Sequence, residues 1–137
     1  VTLRPFFILG KKKDNNNIRL FARLLNKIDN KEIIDIQGNE GITINPIDVG
    51  TAAEAVIKSM FLKTNQIINI AGSQNLTLKE IITIMSNRRN IVPNIKNINQ
   101  YNKNSSKLLG NIFKMNDLLN INPVGFKKHL IQFVENN

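Results

Sequence analysis

With 137 residues, 42% of them hydrophobic, the chain can bury one sizeable core and is not of disordered composition. It has no cysteine and a single histidine, so disulfides and thiolate metal sites are excluded and no metal centre is expected. The net charge of +9 admits a phosphate-rich partner, yet tight basic groups are few, the lysines at 11–13 and the pair Arg88-Arg89 among them, which makes nucleic-acid binding the weaker expectation.

No run reaches the roughly 18 apolar residues of a membrane helix, and no basic-then-apolar leader opens the chain. A soluble cytoplasmic protein without a membrane partner is therefore expected. Residues 1–9 form a nearly continuous apolar run, interrupted by Arg4 and Pro5 and closed by Gly10, the pattern of a strand buried on both faces of a parallel sheet. A chain rarely starts in mid-strand, so the sequence reads as part of something longer. Residues 11–17 are a polar loop. Ile18, Phe21, Ala22, Leu25 and Ile28 then make a helical stripe, with Asp14 or an asparagine at 15–17 as its cap. Residues 32–36 read as a short strand and Gly38-Asn39-Glu40-Gly41 as the turn after it.

The strongest pattern is at 44–60. Asn45 precedes a proline and is pushed out of the α region, so Asn45-Pro46 belongs to an incoming extended segment and the helix begins beyond it, capped by Asp48 or Gly50. Val49, Ala52, Ala53, Val56, Ile57 and Met60 fall on one predicted buried face. Such a strand-to-helix corner gathers backbone N–H groups and positive dipole, which makes it a candidate site. Residues 66–70 form a further strand, closed by Ala71-Gly72. Thr77-Leu78-Lys79-Glu80 has the form of a capping box and opens a helix with Leu78, Ile81, Ile82 and Met85 on its apolar face. Residues 90–106 are Asn-rich and weakly patterned, with Ile91, Ile95 and Ile98 as anchors. Met115, Leu118 and Leu119 suit a short helix, Asn122-Pro123 breaks it, and Phe126, Leu130, Phe133 and Val134 mark a last one. The alternation of strands and helices gives an α/β fold class.

Catalytic signatures are sparse. Gly38 and Gly41 have the spacing of two glycines of a dinucleotide loop, but Ile44 stands where the third belongs, so turn glycines explain them better. The only tyrosine, Tyr101, is followed four places later by Ser105, so there is no Tyr-x-x-x-Lys pair. His129 lies in the apolar stripe of the last helix and reads as a packing residue. Asp48 and Glu54 are possible acid–base groups, with a helix cap and a solvated face as the plainer readings.

Four motifs in order carry a resemblance. Leu3-Arg4-Pro5-Phe6-Phe7-Ile8-Leu9-Gly10, Asn45-Pro46-Ile47-Asp48-Val49-Gly50-Thr51-Ala52-Ala53-Glu54-Ala55, Ile68-Asn69-Ile70-Ala71-Gly72 with Leu76-Thr77-Leu78-Lys79-Glu80-Ile81, and Leu118-Leu119-Asn120-Ile121-Asn122-Pro123 cover nearly the whole chain. Together the chain resembles the C-terminal half of the NAD-dependent epimerase/dehydratase family, the extended short-chain dehydrogenases. The resemblance implies the C-terminal portion of an NAD(P)-binding Rossmann-type enzyme with its small mixed α/β substrate domain. Residues 1–137 would be a single incomplete unit, inactive alone, with the Gly-rich loop and the catalytic Tyr and Lys upstream and no catalytic residue of its own.

The same resemblance implies NAD or NADP as cofactor, a nucleotide sugar as substrate and a possible homodimer for the full-length protein. It places Pro5 and Phe6 beside the cofactor and Phe7, Thr43 and Asn45 beside the substrate. The chain departs from the family pattern at several positions. Phe7 stands where an asparagine is common, no arginine occurs near Thr43, Thr51 replaces an aspartate and Asn120 a glycine. A guanidinium matches phosphate and a threonine does not replace it, which leaves a more apolar alcohol or ketone as the alternative substrate. A non-catalytic binding or scaffolding relative is the alternative of another class.

Overall fold

The structure, a computed structural model, describes residues 1–10, 19–99 and 106–137. The lysines at 11–13, the cap expected at 14–17, Ile18, Tyr101 and Ser105 lie outside the described residues.

The apolar run at 1–9 predicts one strand buried on both faces. Instead it forms two, β1 (Thr2–Pro5) and β2 (Ile8–Leu9), broken at Phe7, whose φ of 45° is left-handed. The bend sends the chain from one partner to another: β1 runs parallel to β6 (Ile67–Ile70) and β2 parallel to β5 (Ile47–Asp48). Val1, Arg4 and Ile8 are exposed, because among the described residues β1 has a paired neighbour on one edge only.

Helix α1 (Leu20–Asp29) buries Phe21, Leu25 and Ile28 of the predicted stripe, with Leu24 joining them and Ala22 only half-buried. Strand β3 (Ile34–Gln37) alternates buried and exposed residues and pairs in parallel with β8 (Ile95–Ile98), so the Asn-rich stretch does contain a strand. After β3 the chain turns through Gly38 and Gly41 at φ of 61° and 72°, a backbone region open to glycine at little cost. Strand β4 (Thr43–Ile44) lies between β7 (Leu76–Thr77), antiparallel, and β9 (Lys107–Leu108), parallel. Helix α2 is Val49–Ser59. Helix α3 (Leu78–Arg89) opens with the predicted capping box: Glu80 N donates to Thr77 Oγ1 at 3.1 Å and Thr77 N to Glu80 Oε2 at 2.8 Å. Helices α4 (Phe113–Leu119) and α5 (Phe126–Glu135) follow. Among the described residues, no helix is long and apolar enough to cross a membrane.

These elements enclose two apolar cores. The first joins α1, α3 and α5 to β3, β4 and β7 through Leu25, Ile36, Ile44, Ile81, Met85 and Leu130, with the Phe21 and Phe126 rings 5.6 Å apart between centroids. In the second, α2 and α4 cover one face of the β1–β6 pair, through Ala52, Ala55, Met115 and Leu119 against Ile68 and Ile70.

Helix α2 corrects the sequence reading. Of the six residues predicted to be buried, only Ala52 enters the core, accompanied by Ala55 and Ser59. Val49, Ala53, Val56, Ile57 and Met60 are exposed, Met60 at 77%. Small residues form the sheet-facing side because they let the helix backbone approach closely, and the larger apolar residues lie along a flank. Ala55→Asp would bury an unpaired carboxylate and should cost about 3 kcal/mol or more. Ala53→Asp, on the exposed flank, should stay within about 1 kcal/mol. Urea denaturation of the two variants distinguishes the faces; the reverse order of losses would restore the predicted stripe.

Candidate functional site at the carboxyl ends of a parallel strand pair

In open parallel sheets, ligands sit beyond the carboxyl ends of the strands, where the following loops diverge. At that end of the β1–β6 pair, Phe6 N donates to Ile70 O at 2.8 Å and carries the ladder one residue past β1. The Phe6 ring lies against Gly110 so closely that a Cβ there would come within 2.9 Å of both the ring and Ala71 Cβ. Gly72 is equally confined, since a Cβ on it would lie 2.0 Å from the Pro46 carbonyl oxygen.

Asn45 ties these loops together. It is 5% exposed, and its Nδ2 donates to Gly72 O at 3.1 Å and Gly110 O at 2.8 Å, while its Oδ1 accepts from Gly110 N at 2.9 Å. Gly72 N in turn donates to Asn45 O at 2.9 Å. Both amide hydrogens of the side chain are thereby committed to backbone carbonyls.

Of the residues the sequence singles out, the structure gathers Pro5, Phe6 and Asn45 at this end. Phe7 sits at the bend, its carbonyl accepting from Ile47 N at 3.3 Å and its ring packed against the first core. Thr43 lies in a separate sheet, on β4, in register with Thr77 on one side and Lys107 on the other. Sequence reasoning missed Gly72 and Gly110 at this end and Lys107 beside Thr43, because only the bonds of Asn45 and the long-range pairing of β4 with β9 reveal them.

Two positions where the chain departs from the expected residues share a backbone feature. Phe7 and Asn120 stand where asparagine and glycine are expected, and both are left-handed, at φ of 45° and 51°. Asparagine and glycine are the residues that enter this region at least cost. At Asn120 the left-handed residue ends α4.

The corner before α2 resolves to a cap. Thr51 N donates to Asp48 Oδ1 at 2.9 Å and Thr51 Oγ1 to Asp48 Oδ2 at 2.6 Å. His129 Nε2 approaches the same Oδ2 at 3.8 Å, beside a cleft of about 190 Å³ that Gly10, Val49 and Gln132 also line. Burial pushes the Asp48 carboxyl up, but the Thr51 hydroxyl and amide, aided by attraction from His129, outweigh it and hold the group below its ordinary value. Glu54 is paired with Lys58 at 2.8 Å on an exposed face. Arg88 pairs with Glu135 and Arg89 with Asp29, so this basic pair is held in ion pairs. Among the described residues, no group of three His, Asp or Glu could hold a metal ion.

No family model matches the sequence, and no curated protein matches it. Solved structures do match. The UDP-N-acetylglucosamine 4-epimerase of Methanobrevibacter ruminantium M1, in complex with UDP-N-acetylmuramic acid, is 23% identical over 98% of this chain, with a TM-score of 0.79. The UDP-glucose 4-epimerase of Thermotoga maritima, with UDP-glucose, is 18% identical over 98%, also at 0.79. The UDP-glucuronic acid 4-epimerase of Bacillus cereus, with UDP-glucuronic acid and NAD, is 17% identical over 97%, at 0.77. The fold is that of part of a nucleotide-sugar 4-epimerase. The chain spans 44% of the length of each of these proteins. The epimerase-type fold is the α/β architecture expected from the four sequence motifs, with small sheets and five helices among the described residues.

Two measurements test this geometry. Asp48→Ala should cost about 1 kcal/mol at pH 7 through loss of the cap. Because the folded-state pKa of Asp48 is depressed, its contribution is present above the unfolded-state value of about 3.9 and lost as pH falls through the lower folded value. The gap between parent and variant in urea should therefore narrow as pH falls below the unfolded-state value; a gap independent of pH would remove the charge from the argument. Asn120→Ala should cost about 1 kcal/mol and Asn120→Gly nothing or less, as thermal unfolding would show.

Proposed function

We propose that residues 1–137 are the substrate-domain portion, with the last strands of the nucleotide-binding sheet, of an NAD(P)-dependent nucleotide-sugar epimerase, dehydratase or related oxidoreductase. The observation that carries the reading is the match of 97–98% of the chain to nucleotide-sugar 4-epimerases, one of them solved with both NAD and UDP-glucuronic acid. Those residues form one incomplete unit, C-terminal to the Gly-rich loop and the Tyr-x-x-x-Lys pair. A cytoplasmic location and a homodimer for the full-length enzyme go with the same reading.

The residues present suit one wall of such a site. Pro5 and the ring of Phe6 lie at the carboxyl end of β1, and Gly110 leaves the ring its place. A nicotinamide cofactor, NAD or NADP, supplies the hydride acceptor and donor when bound. The chain's own part is to bind and orient. Pro5 and Phe6 exclude water beside the cofactor, and Asn45 holds the loops around the substrate. Phe7 and Thr43 line the substrate side, where Lys107, in register with Thr43, offers a cation for a diphosphate in place of the absent arginine.

The sequence that precedes Val1 in the native polypeptide tests the reading. A Tyr-x-x-x-Lys about two to three dozen positions upstream is expected as the proton-transfer pair; its absence would favour a non-catalytic relative. Residues 1–137 alone should turn over no UDP-glucose or UDP-N-acetylglucosamine with NAD. Measurable turnover would place a catalytic group within this chain and overturn the assignment.

A further inference from the structure

Basic residues that are scattered in the sequence are brought into one row by helix α1. Its buried side, Phe21, Leu24, Leu25 and Ile28, belongs to the first core. Arg19 at the N-cap, Arg23 and Lys27 recur every fourth residue on the side turned away, Arg19 and Arg23 exposed and Lys27 half-buried. Lys31, exposed just past the end of the helix, follows them. From Arg19 to Lys27 the axis rises about 12 Å, which is also the width of a duplex major groove.

This row is not neutralised within the fold. The Lys and Arg side chains seen paired with carboxylates are Lys58, Lys79, Arg88 and Arg89. Among the described residues, none of Arg19, Arg23, Lys27 and Lys31 is in an ion pair. Lys27 Nζ donates to the Ile33 carbonyl at 3.0 Å, which leaves its charge uncompensated. Asp29, the one acid of α1, is taken by Arg89 of α3 at 3.0 Å. Glu32, next to Lys31, is exposed and is the one acid that stands against the row. By sequence, residues 11–32 hold seven Lys and Arg against three Asp and Glu, so this stretch supplies +4 of the net +9.

What else the surface holds decides which polyanion fits it. A helix that binds an anionic membrane inserts an apolar side, and the apolar side of α1 is already in the core. Single-stranded nucleic acid is held by stacking its bases on accessible rings. Phe21, the one aromatic residue of α1, is 3% exposed and packs on Phe126. A duplex requires neither feature, because cations alone bind its phosphates and release the counterions condensed on them. Arginine suits this contact, since its planar fork can take two oxygens of one phosphate.

We propose that the outer side of α1, through Arg19, Arg23, Lys27 and Lys31, is a sequence-independent binding surface for the phosphate backbone of a nucleic-acid duplex. The inference stands apart from the nucleotide-sugar reading.

Fluorescence anisotropy of a short labelled DNA duplex titrated with residues 1–137 tests it. Three or four phosphate contacts give a slope of about −3 in log affinity against log salt, a loss of about a hundredfold between about 50 and 200 mM. Arg23→Glu combined with Lys27→Glu should weaken binding by about tenfold or more at low salt and flatten the slope by about 2. Lys63→Glu combined with Lys128→Glu makes the same change in net charge at exposed positions elsewhere and should cost about threefold or less.

Equal losses from the two pairs would reduce the effect to net charge and overturn the surface. Absence of duplex binding by the parent chain at low salt would overturn it as well, and so would tighter binding of a single strand than of the duplex. Capture by phosphatidylserine vesicles that depends on Arg23 and Lys27, without duplex binding, would assign the row to a membrane and end the proposal. If the Arg23 and Lys27 double variant loses its helical circular dichroism, Arg23→Gln decides, because it keeps a good helix former at an exposed position. A slope flatter by about 1 then supports the surface, and an unchanged slope overturns it.

Discussion

The side-chain amide of Asn45 holds the two cores in register. Ile44 belongs to the first core and Ile47 to the second, so Asn45-Pro46 is a crossing between them. Gly72 lies on the return crossing, from Ile70 in the second core to Leu76 in the first, and Gly110 on a third segment, from β9 toward Met115. One amide bonds to both of these crossings from the third. Each bond adds only about 1 kcal/mol net, but removing the amide would leave a buried N–H and two carbonyls without partners, at about 1–3 kcal/mol each. That asymmetry makes the position unforgiving. The glycines are required by the same arrangement, because a Cβ at 72 would meet the Pro46 carbonyl and one at 110 the Phe6 ring.

Local chemistry made much of the fold readable. The capping box at Thr77 and Glu80, the stripe of α1 and the last helix each depend on residues within a few positions of one another; the box and the last helix formed as read, and α1 buried Phe21, Leu25 and Ile28 of its stripe together with Leu24. Asp48 could be narrowed to a cap candidate because the proline at 46 fixed where a helix could begin. The site was legible only in part. Pro5, Phe6 and Asn45 could be marked from motif order, but the partners of Asn45 lie 27 and 65 residues away and nothing in its own neighbourhood names them. Lys107 was invisible for the same reason. The strand at 95–98 was blurred by asparagine, and its pairing with β3 was beyond any local pattern.

The error on α2 is of a different kind. Periodicity reports which side of a helix is apolar, and that much was right: Val49, Ala53, Val56, Ile57 and Met60 do share a side. It does not report which neighbour covers that side. Here the second core takes the narrow face of Ala52 and Ala55, where small side chains permit close approach, and leaves the wide apolar flank exposed. The exposed flank is the outer boundary of the second core.

The bend at Phe7 connects this boundary to the site. Two successive aromatic rings part there, Phe6 toward Gly110 and Ala71 and Phe7 onto the first core. A phenylalanine in the left-handed region costs about 1–2 kcal/mol relative to an ordinary conformation, which the packing of its ring must offset. An asparagine would adopt the backbone more cheaply and present a polar group, but would give up that packing. On the functional reading proposed, the exchange removes a polar contact to substrate at residue 7 without opening a gap in the core. The Phe7 carbonyl is no substitute, since it already accepts from Ile47 N. On the same reading, contact with a polar substrate would fall to β4 and β9, where Thr43 and Lys107 stand in register.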